Sequence, residues 1–391
     1  MDPTKFRNSP SGRLVKSTNK DGDYWAFVPN PLPPVITFDT ELVNHLSTAD
    51  RKLGMLAGLG QNVPNPKLLL APLLRREALL SSRIEGTYTT FSDLYAYEAQ
   101  QLPLSSDDPD EIIRVNNARE VTNYIRAMEY GLDRLNTLPM SKRLIQELHQ
   151  LLLKGVRGED RTPGEFRRIQ NAIGSKIDTL KEARFIPPPI LEMNEALDKF
   201  EAYINEEHEC PPLIRLAFIH YQFETIHPFL DGNGRIGRLI IPLLVDQWNL
   251  LPYPMLYLSV FFDKNRDIYY DRLLAISKTG AWRDWLFFFL DGVIHESSNS
   301  LNLINKMSNL QLKWKKQLQV RQTSANLLKL VDQLFIQPYF TIPQVAEKIG
   351  VTWKAANNMV ERLEEEKIIE QQPHLERPRV YLATEIIKIL E

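Results

Sequence analysis

Two strongly helical segments of the chain are joined by the stretch His227-Pro228-Phe229-Leu230-Asp231-Gly232-Asn233-Gly234-Arg235-Ile236-Gly237-Arg238. The first helical segment covers Leu213 to Thr225, and the second covers Ile236 to Trp248. Because Pro228 disfavours the helical conformation at the residue before it, the first helix is predicted to end at His227, which places the imidazole at the C-terminal end of the helix. Glycines at a helix start let backbone N–H groups turn toward an anion, so the turn around Asn233 is a predicted phosphate cradle.

The same stretch carries charges that suit phosphate and metal binding. Arg235 and Arg238 lie three positions apart on the first turn of the second helix, which places them on one face. Asp231 is the one carboxylate of the loop, and a single oxygen ligand beside phosphates is a usual way to hold Mg²⁺. The stretch is neither a Walker motif nor a dinucleotide fingerprint. A glycine turn between core helices with a structural His227 is the alternative, but this combination of residue types favours a functional site.

This stretch resembles the Fic family motif His-Pro-Phe-x-Asp/Glu-Gly-Asn-Gly-Arg-x-x-Arg, and every fixed position of that motif is met. The resemblance extends over roughly residues 70–300. It implies a mainly α fold with a Fic helical core and a transferase that moves AMP from MgATP onto a protein hydroxyl. In that reaction His227 is the general base and Asp231 holds Mg²⁺. The expected contacts to ATP are Gly232, Asn233, Gly234, Arg235, Ile236, Gly237 and Arg238.

Composition sets broad limits on the class of protein. The chain has 391 residues, of which 43% are hydrophobic and 25% charged, as in a soluble globular protein of two or three domains. A net charge of -2 gives no overall attraction to nucleic acid or anionic membranes. The single cysteine, Cys210, excludes an internal disulfide. The polar start of the chain lacks the apolar core of a signal peptide, and no apolar run can span a bilayer, so we expect a cytoplasmic protein.

A helix predicted over Leu68 to Ile84 ends where Gly86 can adopt the left-handed conformation. Its last turn presents Ser81 and Glu85, and a glutamate there is disfavoured by the helix dipole. A solvated helix end is the simpler interpretation of the residues alone. However, Ser81 to Gly86 resembles the Fic inhibitory motif Ser/Thr-x-x-x-Glu-Gly/Asn, in the class whose inhibitory helix precedes the core. The resemblance implies that Glu85 pairs with Arg238 and occupies the space of the γ-phosphate.

Two further segments are expected near the nucleotide. Ile173 to Pro189 is predicted to form a β-hairpin. One interpretation is a surface hairpin without a role in the site; the other, implied by the resemblance, is the Fic flap, which aligns a target chain by strand pairing. As a flap it would place Ile173, Gly174, Ser175 and Lys176 against ATP. A helix over Asp267 to Thr279 carries Tyr269 and Tyr270, which are core residues unless, as the resemblance suggests, one ring stacks on adenine with Ser277 nearby.

Three other expectations concern structural residues. Met1 to Pro34 is predicted to be an extended arm, pinned to the body by Trp25, Phe27 and Val28. His149 is predicted to be a structural histidine within a helix. His220 is predicted to be a core histidine, because the sequence offers no further ligands for a zinc site with His227.

The predicted domains are residues 1–110 (N-terminal arm and helices with the inhibitory helix), 111–300 (Fic catalytic core), 301–323 (linker helix) and 324–391. The last region resembles a winged helix-turn-helix. DNA binding would use Thr352, Lys354, Asn357 and Asn358. Residues 311–391 hold 12 Lys/Arg against 10 Asp/Glu, which is a poor balance for phosphate binding, so a protein-contact or regulatory module is favoured over DNA binding.

The favoured hypothesis is therefore an autoinhibited adenylyltransferase acting on Ser, Thr or Tyr of a protein. The chain itself is one candidate target. A second hypothesis is the reverse reaction, removal of AMP, or transfer of another phosphate-linked group. A third is a DNA-binding regulator with a nucleotide-sensing Fic site. The resemblance also allows a homodimer, and no membrane partner is expected.

Overall fold

The computed structural model describes residues 1–19, 22–61, 65–101, 108–174, 180, 183–207, 209–320, 323–372 and 379–391, apart from the side chains of residues 67 and 69. In these ranges the elements are β1 Gly12–Asn19, β2 Gly22–Pro29, α1 Thr40–Gln61, α2 Pro66–Ile84, α3 Phe91–Glu98, α4 Pro109–Arg134, α5 Lys142–Leu152, α6 Ile190–Asn205, α7 Pro212–Ile226, α8 Asn233–Gln247, α9 Ser259–Lys264, α10 Arg266–Thr279, α11 Trp282–Gln319, α12 Ala325–Leu334, β3 Tyr339–Thr341, α13 Ile342–Ile349, α14 Trp353–Glu365, β4 Glu370–Gln371, β5 Val380–Leu382 and α15 Thr384–Leu390. The predicted mainly α class is confirmed.

The chain divides into two compact units. The first unit combines Met1–Ala57 with Asn123–Ser297, and the second combines Gly58–Thr122 with Ser298–Glu391. The loop between α7 and α8 belongs to the first unit, whereas α2 belongs to the second. The predicted boundaries at residues 110, 300 and 323 stay predictions.

The centre of the first unit is formed by α7 and α8. These two helices pack on each other and are buried on nearly all faces, which is the pattern of core helices. Helix α6 also packs on α7, and Trp285 of α11 donates its indole N–H to Ala217 O of α7 at 2.9 Å. The loop that joins α7 to α8 is therefore held at the ends of two rigid elements.

The prediction of an extended arm at the N-terminus is wrong, because β1 and β2 form an antiparallel pair. Strand β1 pairs with β2 from Gly12↔Pro29 to Asn19↔Gly22. Phe27 and Val28 are buried as predicted, but Trp25 is 39% exposed and does not anchor the segment. Apolar and polar residues alternate too weakly along β1 for the sequence to predict a strand there. Phe27 packs on Phe185, which is too distant along the chain for the sequence to connect the two.

In the second unit, the C-terminal elements follow the predicted order. Strand β5 lies between β3 and β4 in an antiparallel sheet, and α13 ends at Gly350 with a φ of +75°. This order agrees with a winged helix arrangement, which stays a prediction. In this C-terminal module, residues 324–391, α15 packs on α2 and β3 packs on α3.

Side-chain hydrogen bonds also join the C-terminal module to α3. Gln337 Nε2 donates to Tyr95 O at 3.0 Å, and Gln344 Nε2 donates to Ala99 O at 2.7 Å. Helix α3 is joined in turn to α2 by the largely buried ion pair of Arg75 with Glu98 at 2.9 Å. Within the described residues, no helix combines the length and the hydropathy needed to cross a bilayer.

Candidate active site

Helix α7 ends at the predicted place. His227 adopts the left-handed conformation, with φ of 50° and ψ of 59°, and its N–H closes the helix by donating to Phe223 O at 3.0 Å. A left-handed residue other than glycine costs roughly 1–2 kcal/mol, so surrounding contacts must hold it. The chain thereby turns sharply out of α7 and presents the imidazole in the loop.

The hydrogen bond of the His227 ring defines its tautomer. Nδ1 lies 3.1 Å from the carbonyl oxygen of Glu224, and a carbonyl only accepts, so Nδ1 carries the proton. Nε2 is then the basic nitrogen of the ring. This arrangement suits a general base, because the carbonyl also stabilises the imidazolium that forms when Nε2 takes a proton.

Helix α8 starts at Asn233, in the glycine turn where the second helix is predicted to begin and three residues before the apolar segment that opens with Ile236. Gly232 is its N-cap residue, in the left-handed conformation at φ of +79°. Arg235 therefore lies on the first turn, but the prediction that Arg238 also lies there is wrong, because it falls on the second turn. Both arginines are almost fully buried, at 1% and 2% exposure. The described geometry keeps Gly232, Gly234 and the first N–H groups of α8 together at one helix start.

The side chain of Asn233 closes the loop on itself. Its Oδ1 accepts the N–H of Phe229 at 2.8 Å, and its Nδ2 donates to the carbonyl of Phe229 at 2.8 Å. Both polar atoms of the amide are therefore used within the loop. The predicted nucleotide contact of Asn233 stays a prediction.

The carboxylate of Asp231 is held by its neighbours through Oδ1. Oδ1 accepts the N–H of Gly232 at 2.6 Å and lies 3.6 Å from an Arg235 nitrogen, while the side chain is 34% exposed. Oδ2 faces Gly158, where a Cβ would come within 2.8 Å of it. In the described part of the chain no three His, Cys, Asp or Glu side chains cluster as a metal cage. A single carboxylate of this kind fits Mg²⁺ that takes its other ligands from phosphates and water.

His149 supports the same loop from α5. The N–H of Gly164 donates to its Nδ1 at 2.9 Å, so Nε2 carries the proton and donates to Asp231 O at 2.9 Å. The ring stacks on Phe229 with centroids 3.7 Å apart. Burial lowers the pKa of His149 to about 4. The prediction of a structural histidine is confirmed, but its contact with the loop was missed, because 82 residues separate it from Asp231.

His220 is a core histidine, as predicted. Its Nδ1 donates to Gly237 O at 3.1 Å, and its Nε2 accepts the hydroxyl of Tyr269 at 2.8 Å. Burial lowers the pKa of His220 to about 3. The neutral ring therefore ties α7 to both α8 and α10.

The burial of both neutral histidines predicts a loss of stability in acid. The unfolded chain binds a proton at His149 near pH 6.5, whereas the folded chain does so only near pH 4. Because the unfolded state binds more protons in this interval, the free energy of unfolding falls as the pH drops from about 6.5 to about 4, by roughly 3 kcal/mol for His149. Denaturant unfolding at pH 7 and pH 5 measures the first part of this fall, about 2 kcal/mol for His149. His149→Gln should remove this contribution and leave that of His220, and an equal slope in the variant and the wild type would contradict it.

The predicted adenine contacts divide into buried and accessible residues. Tyr269 has no exposed surface and stacks on Phe262 with ring centroids 4.5 Å apart. Ser277 is 2% exposed and bonds the hydroxyl of Tyr221 at 2.9 Å. Tyr270 is half-buried. The adenine-contacting roles stay predictions. Of the two tyrosines, only Tyr270 has an accessible side chain.

The predicted flap is paired at its base. Ile173 forms an antiparallel bridge with Phe185, and Gly174 has a φ of +74°. Ser175 and Lys176 lie outside the described residues. Ile186 accepts the N–H of Phe27 at 2.9 Å, and the rings of Phe6, Phe27 and Phe185 pack together. The N-terminal hairpin therefore supports the base of the flap.

In the second unit, α2 ends as predicted around Glu85. Glu85 is the C-cap residue, and Gly86 has a φ of +88°. Backbone bonds from Glu85 N to Ser82 O at 3.1 Å and from Thr87 N to Ser82 O at 3.0 Å close the helix end. Ser81 has no exposed surface, whereas Glu85 is half-buried. The local geometry thus places a carboxylate at the negative end of the helix dipole.

Two regions of the chain match models of one family. Residues 43–133 match the Fic/DOC family N-terminal model, and residues 139–245 match the Fic/DOC family model. Together they cover just over half of the chain. The chain belongs to the Fic/DOC family.

Relatives with curated names support this membership. The chain is 28% identical over 211 residues to proteins named Protein adenylyltransferase Fic in Drosophila persimilis and Drosophila melanogaster. The match takes in 53% of this chain and 37% and 38%, respectively, of those relatives, so the chain spans less than two fifths of their length.

Solved structures share the fold. A Fic family protein from Desulfovibrio desulfuricans G20 superposes with a TM-score of 0.57 at 19% identity, over 90% of this chain and 98% of that chain. Fic-1 from C. elegans (residues 134–508) gives a TM-score of 0.50 at 19% identity, over 68% of this chain and 75% of that chain. These likenesses show the fold alone.

Proposed function

We propose that this chain is an autoinhibited protein adenylyltransferase, which moves AMP from MgATP onto a Ser, Thr or Tyr hydroxyl of a protein and releases pyrophosphate. The observation that carries the proposal is His227, held left-handed beside a glycine helix start with Nδ1 bonded to Glu224 O. The names of the related proteins support the same reaction. The chain itself is among the expected targets, and a cytoplasmic location stays a prediction.

The proposed chemistry begins with proton transfer to His227. Nε2 accepts the proton of the target hydroxyl, and the hydroxyl oxygen attacks the α-phosphorus of ATP. The bond from that phosphorus to the bridging oxygen breaks, and pyrophosphate leaves. The N–H groups at the start of α8 stabilise the oxygens of the α-phosphate, while Arg235 and Arg238 attract the outer phosphates.

Asp231 is the proposed ligand of the metal. Mg²⁺ would neutralise phosphate charge when it is bound there. The protein's contribution is to aim the carboxylate, since Gly232 N–H fixes Oδ1 and Gly158 leaves room for Oδ2.

Replacing Gly158 with alanine is expected to weaken this arrangement. The new Cβ would come within 2.8 Å of Asp231 Oδ2, at a backbone φ of +90° that side chains rarely adopt. We expect the Mg²⁺ concentration that gives half-maximal activity to rise about 10-fold or more. The matched control is Gly350→Ala, because Gly350 has a φ of +75° with nothing within 4 Å of a new Cβ. An unchanged Mg²⁺ dependence in Gly158→Ala would contradict this role of the glycine.

Autoinhibition by Glu85 is part of the proposal. A carboxylate paired with Arg238 would neutralise the arginine and repel the γ-phosphate that must replace it. The inhibitory motif and the closed helix end at Glu85 support this role.

The C-terminal module is proposed to regulate the enzyme rather than to bind DNA. Its packing on α2 and α3 supports this role, because α2 carries the inhibitory motif. Glu361, Glu364 and Glu365 are exposed on α14, which agrees with the charge argument against DNA.

The proposed function is tested with a panel of nucleotides. Wild type and Glu85→Gly are incubated with ATP, GTP, CTP or UTP labelled on the α-phosphate, alone and with a cell lysate. Label transferred to protein from ATP, and removed from the labelled product by phosphodiesterase, supports AMP transfer. Labelling from another nucleotide in preference to ATP would replace the proposal by a different nucleotidyl transfer.

A further inference from the structure

The backbone carbonyls that follow the catalytic imidazole are all held by one short segment. The N–H of Arg167 donates to Pro228 O at 2.8 Å, and Arg167 Nε donates to His227 O at 3.1 Å. Asn171 Nδ2 donates to His227 O at 3.3 Å and to Phe229 O at 2.8 Å. The segment from Arg167 to Asn171 therefore grips the loop at three consecutive residues, immediately after the left-handed turn.

Arg167 is an unusual residue for a site of this kind. It is 1% exposed, and burial lowers its pKa to about 10, so it stays charged at neutral pH. Within the described residues no carboxylate forms an ion pair with it. Its nitrogens bond carbonyl oxygens instead, at His227, Ile169 and Pro188. A buried charge is costly unless hydrogen bonds replace its lost hydration, and the carbonyls that do so here include that of His227.

The same segment continues into the flap. Arg167 bonds Pro188 O, and Gln170 Nε2 donates to Pro187 O at 3.0 Å, which holds the residues that follow Phe185. Phe185 itself forms an isolated bridge with Ile173 at the base of the predicted flap. The base of the flap and the loop between α7 and α8 are thus both held by the side chains of Arg167, Gln170 and Asn171.

We propose that Arg167 and Asn171 are positioning residues, which keep His227 in its left-handed conformation and set the flap base relative to the basic nitrogen. This inference rests on the proposed function, because it assigns the geometry of the same site. It differs from the roles inferred from the motif, since neither residue belongs to the motif.

The test compares Arg167→Gln and Asn171→Leu in the Glu85→Gly background. A displaced general base slows the chemical step more than it weakens nucleotide binding. We expect kcat to fall about 10- to 100-fold, while KM for ATP changes less than about threefold. Arg167→Lys should recover part of kcat, because its ammonium can reach a carbonyl without the planar fork.

The matched control is Arg215→Gln. Arg215 is also buried and donates to the backbone carbonyls of Tyr203, Ile204 and Glu206, none of which lies in the loop between α7 and α8. If Arg215→Gln lowers kcat as much as Arg167→Gln at the same loss of thermal stability, the effect is general destabilisation and the inference fails.

Nitrogen NMR of the histidine rings separates this inference from the proposed function. With the His227 signal assigned by its loss in His227→Ala, Arg167→Gln should shift the Nδ1 and Nε2 signals of His227 but leave those of His220 in place. This readout needs no activity. If the Glu85→Gly protein transfers no AMP while the His227 signals shift, the proposed function fails and the positioning role stands. Unchanged His227 signals would overturn the positioning role.

Discussion

Glu85→Gly is expected to raise self-labelling from ATP carrying label on the α-phosphate by about 10- to 100-fold. The variant removes the carboxylate that is proposed to pair with Arg238, so the arginine can attract the γ-phosphate instead. The apparent affinity for MgATP should rise in the same variant, because the nucleotide no longer competes with a protein carboxylate. Both effects are measured on the full chain, by labelling and by titration calorimetry.

Glu85→Asp and Glu85→Gln serve as controls for the effect of Glu85→Gly. Aspartate keeps a charge on a shorter stem, so partial inhibition should remain, whereas glutamine should relieve it more fully. A loss of activity in Glu85→Gly would indicate that Glu85 positions a water for removal of AMP. Unchanged labelling and affinity would contradict autoinhibition.

His227→Ala is expected to abolish labelling in the Glu85→Gly background, with a loss of at least about 10²- to 10⁴-fold. The reason is that no other group takes the proton of the attacking hydroxyl in the proposed reaction. MgATP affinity should stay within about threefold, because the glycine turn and the arginines of α8 are intact. The rate of AMP transfer and the dissociation constant of MgATP are measured on the same preparation.

His295→Ala provides the matched control for the loss of a histidine. His295 is exposed on α11 and lies outside the motif. Its replacement should leave the transfer rate unchanged. Substantial labelling by His227→Ala would mean that another group is the base.

Much of the local structure followed from short-range rules. Pro228 ended α7 at the predicted residue, and Gly86 closed α2 in the left-handed conformation. The order of the C-terminal elements also followed from turn residues and apolar periodicity. These features depend on residues within one or two turns of each other, which is why the sequence reveals them.

The parts that were missed depend on contacts between distant residues. Arg167 bonds His227 O across 60 residues, and His149 reaches Asp231 O across 82. No spacing rule connects such pairs.

Periodicity also did not distinguish the two adjacent tyrosines of α10. Tyr269 and Tyr270 are adjacent in sequence, yet Tyr269 is fully buried against His220 and only Tyr270 keeps exposed surface. Which of the two neighbouring rings is buried depends on the packing of α7 against α10, which the sequence does not state.

AMP transfer at His227 is tested most directly by comparing two positions of the label on ATP. The Glu85→Gly protein is incubated with Mg²⁺ and ATP labelled on either the α- or the γ-phosphate, beside the Glu85→Gly/His227→Ala double variant. The proposed reaction predicts α-label on protein in the first variant only, with the γ-label recovered as pyrophosphate. Protein that carries γ-label, or α-label that persists in the double variant, would contradict it.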